Sequence, residues 1–150
     1  WSSQFAGTNA TVFSKFLKAD LLYRTSDYAT AAQVYGDLAQ TAQPDDLRPL
    51  ALSAQSSAEE MAGHLDQALK LNQAFTDHYP DHFLAASAYL AQARIDELTG
   101  NAAAASAIYD RFAILYPKSP WADLANARLH ALSGTPAAAP SAIPPRVVAP

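Results

Sequence analysis

Two histidines stand four residues apart in the stretch TDHYPDH. His78 and His82 have the spacing of two metal ligands on one face of a helix, and Asp77 and Asp81 place carboxylates beside them. The proline between the histidines argues against a metal site, because proline has no amide hydrogen to donate and ends a helix. We therefore expect a loop between two helices, in which Asp81 caps the second helix and no metal is bound.

Acidic residues form two further pairs that could perform general acid and base chemistry. The pairs lie near the ends of predicted helices and consist of Glu59 with Glu60 and of Asp96 with Glu97. Neither pair has a histidine or another carboxylate at close spacing, and His64 and His130 are predicted to be isolated. The sequence has no glycine-rich phosphate loop and no GxSxG nucleophile elbow. These features predict that the protein is not an enzyme and uses no cofactor.

Composition excludes several other kinds of site. The 150 residues include no cysteine, which removes disulfides, thiolate zinc sites and cysteine nucleophiles. Lys and Arg number 10 against 14 Asp and Glu, and the basic residues are scattered, so a nucleic-acid partner is not expected. No stretch approaches the ~18 consecutive apolar residues that a membrane span requires. Half of the residues are apolar, which is enough for one domain with a sizeable core.

Proline and glycine punctuate the chain at regular intervals. The intervals are 36 and 37 residues for Pro44, Pro80 and Pro117, and 37 residues for the turn positions Ser26, Gly63 and Gly100. Glycine supplies the left-handed backbone conformation that ends one helix, and proline stops the next helix. Because the body of the chain lacks the alternation typical of strands, this period predicts an all-α domain built from repeated helical hairpins.

Small and large residues recur in register within these hairpins. The second helices repeat Ala31, Ala68 and Ala105, then Tyr35, Asn72 and Tyr109, then Leu38, Phe75 and Phe112, and the first helices repeat Ala19, Ser56 and Ala93. A small residue at a helix crossing lets two helices approach to roughly 8 Å, and the larger residues fill the space beyond it. We expect these positions to form the core.

The pattern resembles the tetratricopeptide repeat, whose motif combines a large apolar residue, a small residue, a turn glycine, an alanine, an aromatic residue and a closing proline. The third unit matches best, through Tyr89, Ala93, Gly100, Ala105, Tyr109, Phe112 and Pro117. The second unit keeps Leu52, Gly63, Ala68, Phe75 and Pro80. The first unit departs most from the motif, because Lys15 stands at the large apolar position and Ser26 at the turn position. The resemblance implies a right-handed superhelix of three hairpins followed by a C-terminal capping helix.

The repeat register divides the chain into segments. The predicted repeats span about 11–44, 46–80 and 82–117, and the capping helix spans 119–133, within one domain at 11–134. Residues 1–10 are interpreted as an N-terminal stub, which is juxtamembrane if a membrane anchor precedes Trp1. Residues 135–150 are rich in proline and alanine and are predicted to form an extended, flexible tail.

The capping helix has its own sequence signals. Ser119 is the predicted N-cap, Pro120 the first helical residue and Gly134 the terminator. The residues expected to cover the open face of the third unit are Trp121, Leu124, Leu129 and Leu132.

The resemblance also implies a binding surface, because first helices of tetratricopeptide repeats line a concave face that receives peptides. By register, the candidate partner-binding residues are Phe13, Phe16, Asp20, Tyr23, Arg24, Glu60, Leu90, Arg94 and Glu97. For Phe13 and Phe16 the alternative is that they simply pack the first hairpin. A clamp for the terminal carboxylate of chaperone tails is not expected, since its positions hold Phe16, Asp20, Ser53 and Ser57.

These observations predict a non-catalytic scaffold that binds another protein or peptide. The junction YPKSPWADLA resembles bacterial cell-envelope members of the family, which implies a periplasmic domain with a possible upstream membrane anchor. The domain itself is not expected to contact the membrane. Two alternatives stay open: a module for homo-dimerisation, and a cryptic metal-binding or enzymatic domain.

Overall fold

Seven helices make up the part of the chain that the structure describes. A computed structural model describes residues 2–134, with side chains from residue 9 onward. The helices are α1 (Ser2–Arg24), α2 (Tyr28–Thr41), α3 (Leu47–Met61), α4 (Leu65–His78), α5 (Ala85–Leu98), α6 (Ala102–Leu115) and α7 (Ala122–Leu132). These residues contain no strand, so the prediction of an all-α fold is confirmed.

Each helix packs against the next helix in the chain, from α1 through to α7. Turns of a few residues join α1 to α2, α3 to α4, and α5 to α6, and α7 closes the row against α6. The contacts that hold the fold are therefore mainly between neighbours in sequence, as in other helical repeats.

The predicted turn positions share one backbone conformation. Ser26, Gly63 and Gly100 have φ angles of 67°, 84° and 82°, each just after the end of a first helix. In all three turns the following amide donates to a carbonyl five residues earlier, which pairs acceptors that the helix end leaves open. Gly134, with φ 71°, follows α7 in the same way. The prediction that these positions end helices is confirmed.

The prolines also lie where the spacing places them. Helices α2, α4 and α6 end at Thr41, His78 and Leu115, two or three residues before Pro44, Pro80 and Pro117.

The starts of the following helices differ from the sequence prediction. Asp81 does not cap α5, which begins after Leu84, and the amide of Leu84 instead donates to Nδ1 of His82 at 3.2 Å. The reason is a turn that precedes the helix, in which the Ala85 amide donates to the His82 carbonyl at 2.8 Å. The helix thus starts later than the proline position suggests.

The same turn precedes α7. Ser119 was expected at the N-cap and Pro120 at the first helical position, but α7 begins at Ala122. The Ala122 amide donates to the Ser119 carbonyl at 3.0 Å, and Ser119 Oγ accepts from the Trp121 amide at 3.2 Å. Ser119 therefore stabilises the turn that leads into the helix.

Small residues at the helix crossings are buried, as the repeat pattern predicts. Ala31, Ala68 and Ala105 have no exposed surface, and Leu38, Phe75 and Phe112 are at most 1% exposed. The equivalent first-helix positions, Ala19, Ser56 and Ala93, are also buried.

Buried polar side chains join α3, α4 and α5 in the middle of the fold. Gln92 of α5 donates through Nε2 to the carbonyl of Asn72 at 3.0 Å and to Thr76 Oγ1 at 3.1 Å, both on α4. Asn72 Nδ2 and Ser56 Oγ both donate to the Ala68 carbonyl, at 3.0 and 3.2 Å. In the described part of the chain every buried side-chain nitrogen and oxygen has a partner, so this polar seam adds specificity without unpaired groups.

Only part of the predicted capping face of α7 is buried. Leu129 and Leu132 pack against the cluster around Tyr109 and Phe112. Trp121 and Leu124, expected to lie there too, are 48% and 52% exposed. The inward face of α7 is instead completed by Ala122 and Ala125, so the two large side chains lie at its edge.

The N-terminal segment differs from its sequence prediction. Helix α1 begins at Ser2, so most of the segment assigned to an N-terminal stub is helical. Among the described residues no helix is both long enough and apolar enough to cross a membrane. The tail predicted at 135–150 lies outside the described residues.

Replacing Ser26 by glycine tests the turn geometry. We expect Ser26→Gly to raise the free energy of unfolding by about 0.5–1 kcal/mol, because the left-handed conformation costs a non-glycine residue about 1–2 kcal/mol, partly offset by the greater freedom of glycine in the unfolded chain. Urea unfolding followed by circular dichroism measures the change.

Gly100→Ala is the matched control, and its free energy of unfolding should change in the opposite direction. No atom lies within 4 Å of a Cβ added at Gly100, so only the backbone conformation opposes the change. It should lower the free energy of unfolding by about 1 kcal/mol. A loss of stability in Ser26→Gly would contradict this account of the turns.

Candidate functional site

A groove of about 260 Å³ lies between α5 and α7, with α6 beneath it. We call it the C-terminal groove; its lining residues are Ser87, Leu90, Ala91, Arg94, Tyr109, Trp121, Leu124 and Arg128. A second cavity of about 210 Å³ lies between α3, α4 and α5 and shares Ser87, Ala91 and Arg94 with the first. The two cavities are therefore adjacent along α5.

An ion pair between α3 and α5 borders both cavities. Arg94 donates through both terminal nitrogens to the two carboxylate oxygens of Glu60, one of these bonds measuring 2.8 Å. This paired geometry is the strongest arrangement for an arginine and a carboxylate. The hydrogen bond to Glu60 is also the main cause that raises the pKa of Arg94 above its usual value. Arg94 therefore stays charged and is held in one orientation.

A second carboxylate is held beneath the groove on α5. Glu97 accepts a hydrogen bond of 2.6 Å from the Tyr109 hydroxyl of α6, and its other oxygen lies 3.7 Å from a terminal nitrogen of Arg128 on α7. Burial is the largest cause that raises the pKa of Tyr109 to about 12, and the hydrogen bond to Glu97 adds to it. The Tyr109 hydroxyl is therefore a fixed donor at neutral pH.

The two ion pairs share an orientation toward solvent. The side chains of Arg94 and Arg128 are 52% and 54% exposed, whereas those of Glu60 and Glu97 are 17% and 20% exposed. The guanidinium groups consequently face outward and the carboxylates lie below them. A molecule entering the groove meets hydrogen-bond donors first.

Apolar side chains form the rest of the surface. Leu90 is partly buried, and Trp121 and Leu124 are about half exposed at the α7 edge. Tryptophan and arginine are enriched among the residues that dominate binding at protein interfaces, and Leu124 adds apolar surface beside them.

The structure brings together four of the nine residues predicted for partner binding. Leu90 and Arg94 line the C-terminal groove, Glu60 holds Arg94, and Glu97 contacts two lining residues. Six lining residues were not among the predicted set: Ser87, Ala91, Tyr109, Trp121, Leu124 and Arg128. Trp121 and Leu124 were expected to be buried, and Arg128 could have been found only by placing α7 beside α5.

The other five predicted residues lie on α1, away from the groove. Phe13 and Phe16 border a separate apolar cavity of about 420 Å³ with residues of α1, Gln43 and Leu47. Phe16 packs into the first hairpin, with its ring centre 6.3 Å from that of Tyr35, whereas Phe13 is 66% exposed. The alternative that the side chain packs the first hairpin therefore describes Phe16, whereas Phe13 remains exposed on the surface of α1.

The remaining three residues do not form a site with them. Tyr23 packs edge-on against Tyr28, with ring centres 5.1 Å apart. Asp20 and Arg24 are exposed at the surface of α1.

The histidines of TDHYPDH have backbone partners. Helix α4 ends at His78, so the two histidines do not share a helical face, as the proline predicts. His78 Nδ1 lies 2.8 Å from the Ala74 carbonyl, and the His82 ring stacks on Phe83 with centres 4.5 Å apart. Among the described residues no three histidine, aspartate or glutamate side chains are grouped so that they could hold a metal ion.

One expectation about the acidic pairs is wrong. His64 is not isolated, because the turn after α3 brings its Nδ1 within 2.7 Å of Glu59 Oε2.

Asp96 of the second acidic pair is buried at the end of α5. Burial raises the pKa of its carboxyl group, and a hydrogen bond from the Asn101 side chain lowers this pKa in part.

Comparison with known proteins gives no independent guide to this site. No model of a known protein family matches the chain, and no curated protein matches it either.

The contrast between Phe16 and Phe13 predicts different losses of stability. Phe16→Ala should lower the free energy of unfolding by about 2–4 kcal/mol, because it opens space beside Tyr35. Phe13→Ala should change it by no more than about 0.5 kcal/mol, since the ring is mostly exposed. Equal losses in urea unfolding would contradict the assignment.

The environment of Tyr109 predicts a dependence on alkaline pH. Its pKa is raised in the folded state, so the stability that its hydroxyl contributes is complete below the unfolded pKa of about 10 and is lost as the pH rises through about 12. Subtracting a tyrosinate absorbance titration of Tyr109→Phe from that of the wild type should isolate one group near pH 12. A difference curve centred near pH 10 would contradict the burial described here.

Proposed function

We propose that the protein is a non-catalytic scaffold of the tetratricopeptide type that binds a peptide segment of another protein in the C-terminal groove. The observation that carries this proposal is the combination of half-exposed Trp121 and Leu124 with two outward-facing arginines at one groove. Exposed apolar side chains that are clustered mark interaction sites, and tryptophan and arginine are enriched among residues that dominate binding.

Features of the fold support the tetratricopeptide assignment. The small crossing residues are buried, the turn positions have positive φ, and the helices pack in chain order. In that family the first helix of each unit lines the concave face of a right-handed superhelix. The cavities beside Arg94 are lined mainly by α3, α5 and α7, which are the first helices and the capping helix in this register.

The size of the groove favours a peptide over a small-molecule ligand. Its volume of about 260 Å³ lies below the range of about 300–1,000 Å³ that is typical of small-molecule pockets. It can accept one or two large side chains, and the adjoining cavity along α5 extends the contact. An extended segment that places an apolar side chain against Leu124 fits this shape.

Self-association is a second candidate function, favoured by a separate surface. Phe13, Leu17 and Leu21 are 66%, 56% and 62% exposed and follow one another at intervals of four residues along α1. Residues at this interval form a ridge on one helix face, which can pack into the same ridge of another copy. Sedimentation velocity over a range of concentrations tests this candidate: Leu17→Lys should abolish any dimer, and a wild-type monomer at all concentrations excludes it.

The cell-envelope location remains a proposal that rests on the resemblance of the junction YPKSPWADLA. Fractionation of the native cells with an antibody against this domain tests it, and recovery only in the cytosolic fraction would contradict it.

Selection from a random peptide library tests the binding function. Peptides selected on the wild-type protein should lose affinity by about tenfold or more in Trp121→Ala and in Leu124→Ala, as expected for residues at the centre of an interface. Isothermal titration calorimetry measures the dissociation constants.

Ile114→Ala is the matched control, because Ile114 is 70% exposed on α6 and does not line the groove. Its affinity for the selected peptides should equal that of the wild type. Peptides that bind all three variants equally well would show that the groove is not the binding site.

A further inference from the structure

Arg128 differs from Arg94 in its contact with the neighbouring glutamate. Arg94 is held by two hydrogen bonds to Glu60, whereas Arg128 approaches Glu97 only to 3.7 Å, which is beyond hydrogen-bond distance. Within residues 9–134 the guanidinium of Arg128 has no hydrogen-bond partner, although it lines the groove beside Trp121 and Leu124. Arg128 therefore has N–H donors that an incoming acceptor can use.

Glu97 is poorly placed to satisfy this guanidinium. Its Oε1 already accepts the short hydrogen bond from the Tyr109 hydroxyl, and its side chain is only 20% exposed beneath the groove. The exposed N–H donors of Arg128 consequently lie at the rim of the groove, with the Glu97 carboxylate mostly buried below them.

We propose that the segment bound in the C-terminal groove carries an acidic side chain beside a large apolar one, with the carboxylate on Arg128 and the apolar side chain against Leu90, Trp121 and Leu124. This inference rests on the proposed function and names the chemistry of its ligand. Charge complementarity supports it, because the two arginines are about half exposed at the groove, whereas the glutamates that pair with them are mostly buried.

The position of Glu97 predicts that its replacement strengthens the binding of an acidic peptide. Its negative charge lies close enough to Arg128 to compete with a ligand carboxylate. Removing that charge by Glu97→Gln should strengthen the binding of an acidic peptide by a few-fold, while the amide oxygen can still accept from Tyr109. A residue that served only to hold the fold would weaken binding when replaced.

The test uses the peptides selected from the random library. They should be enriched in Asp or Glu close to an aromatic residue or leucine. The tightest peptide, acetylated and amidated at its ends, is compared with the same peptide carrying Gln in place of its acidic residue. The wild type should prefer the acidic form by about tenfold at low salt, and the preference should shrink as salt rises.

Variants assign the preference to one residue. The acidic and Gln forms should bind Arg128→Gln with affinities within about twofold, because the charge partner is gone. Arg111→Gln is the matched control: Arg111 is an exposed arginine that lies over the Tyr89 ring and does not line the groove, so the preference should be unchanged.

The outcomes separate the inference from the proposed function. Groove-binding peptides without an acidic residue, equal binding of the two peptide forms, or a preference that survives in Arg128→Gln would overturn the inference and leave the function standing. Tighter binding of a Gln peptide with a free C-terminus would assign the carboxylate to a chain end and overturn it too. If no selected peptide depends on Trp121 or Leu124, the function and the inference fail together.

Discussion

Alanine at each helix crossing is the constraint on which the rest of the structure depends. Ala31, Ala68 and Ala105 are completely buried, so the second helix of each hairpin lies close to its neighbours. A larger side chain there would force the helices apart, which costs about 1–3 kcal/mol when a packed core cannot adjust. The spacing also sets the groove, because α5 and α7 both pack on α6 and face each other across it. The width of the candidate site is therefore a consequence of core packing.

Polar contacts between hairpins fix the position of one helix along another, which packing of the alanines alone does not set. Gln92 joins α5 to two acceptors on α4, and Glu60 joins α3 to α5 through Arg94. Apolar packing alone tolerates small shifts of one helix along another, whereas hydrogen bonds of defined geometry do not. The contact with Glu60 lies beside the groove, so Arg94 is held in place by α3 as well as by its own helix. Such support keeps a binding surface in one conformation before a ligand arrives.

Local patterns in the sequence were enough to predict the helical hairpins, the residues that end their helices and the small residues buried where helices cross. Ser26, Gly63 and Gly100 end helices because the backbone there needs positive φ, a requirement visible in residue type and spacing. The starts of α5 and α7 were misjudged because a turn of backbone hydrogen bonds delays them, and in that turn His82 and Ser119 accept amide hydrogen bonds ahead of the helix. The site was predicted only in part, since Glu60 and Arg94 are 34 residues apart and Arg128 pairs across to another helix. Contacts of that kind depend on how hairpins stack.

The central proposal is that a peptide segment of a protein partner binds between α5 and α7. Isotope-filtered NMR on the protein with its selected peptide tests this most directly, because it detects protons of the two molecules that lie within about 5 Å of each other. We expect contacts from an apolar side chain of the peptide to the Trp121 indole and the Leu90 and Leu124 methyl groups. Contacts confined to Phe13, Leu17 and Leu21 on α1, with none to the groove, would contradict the claim.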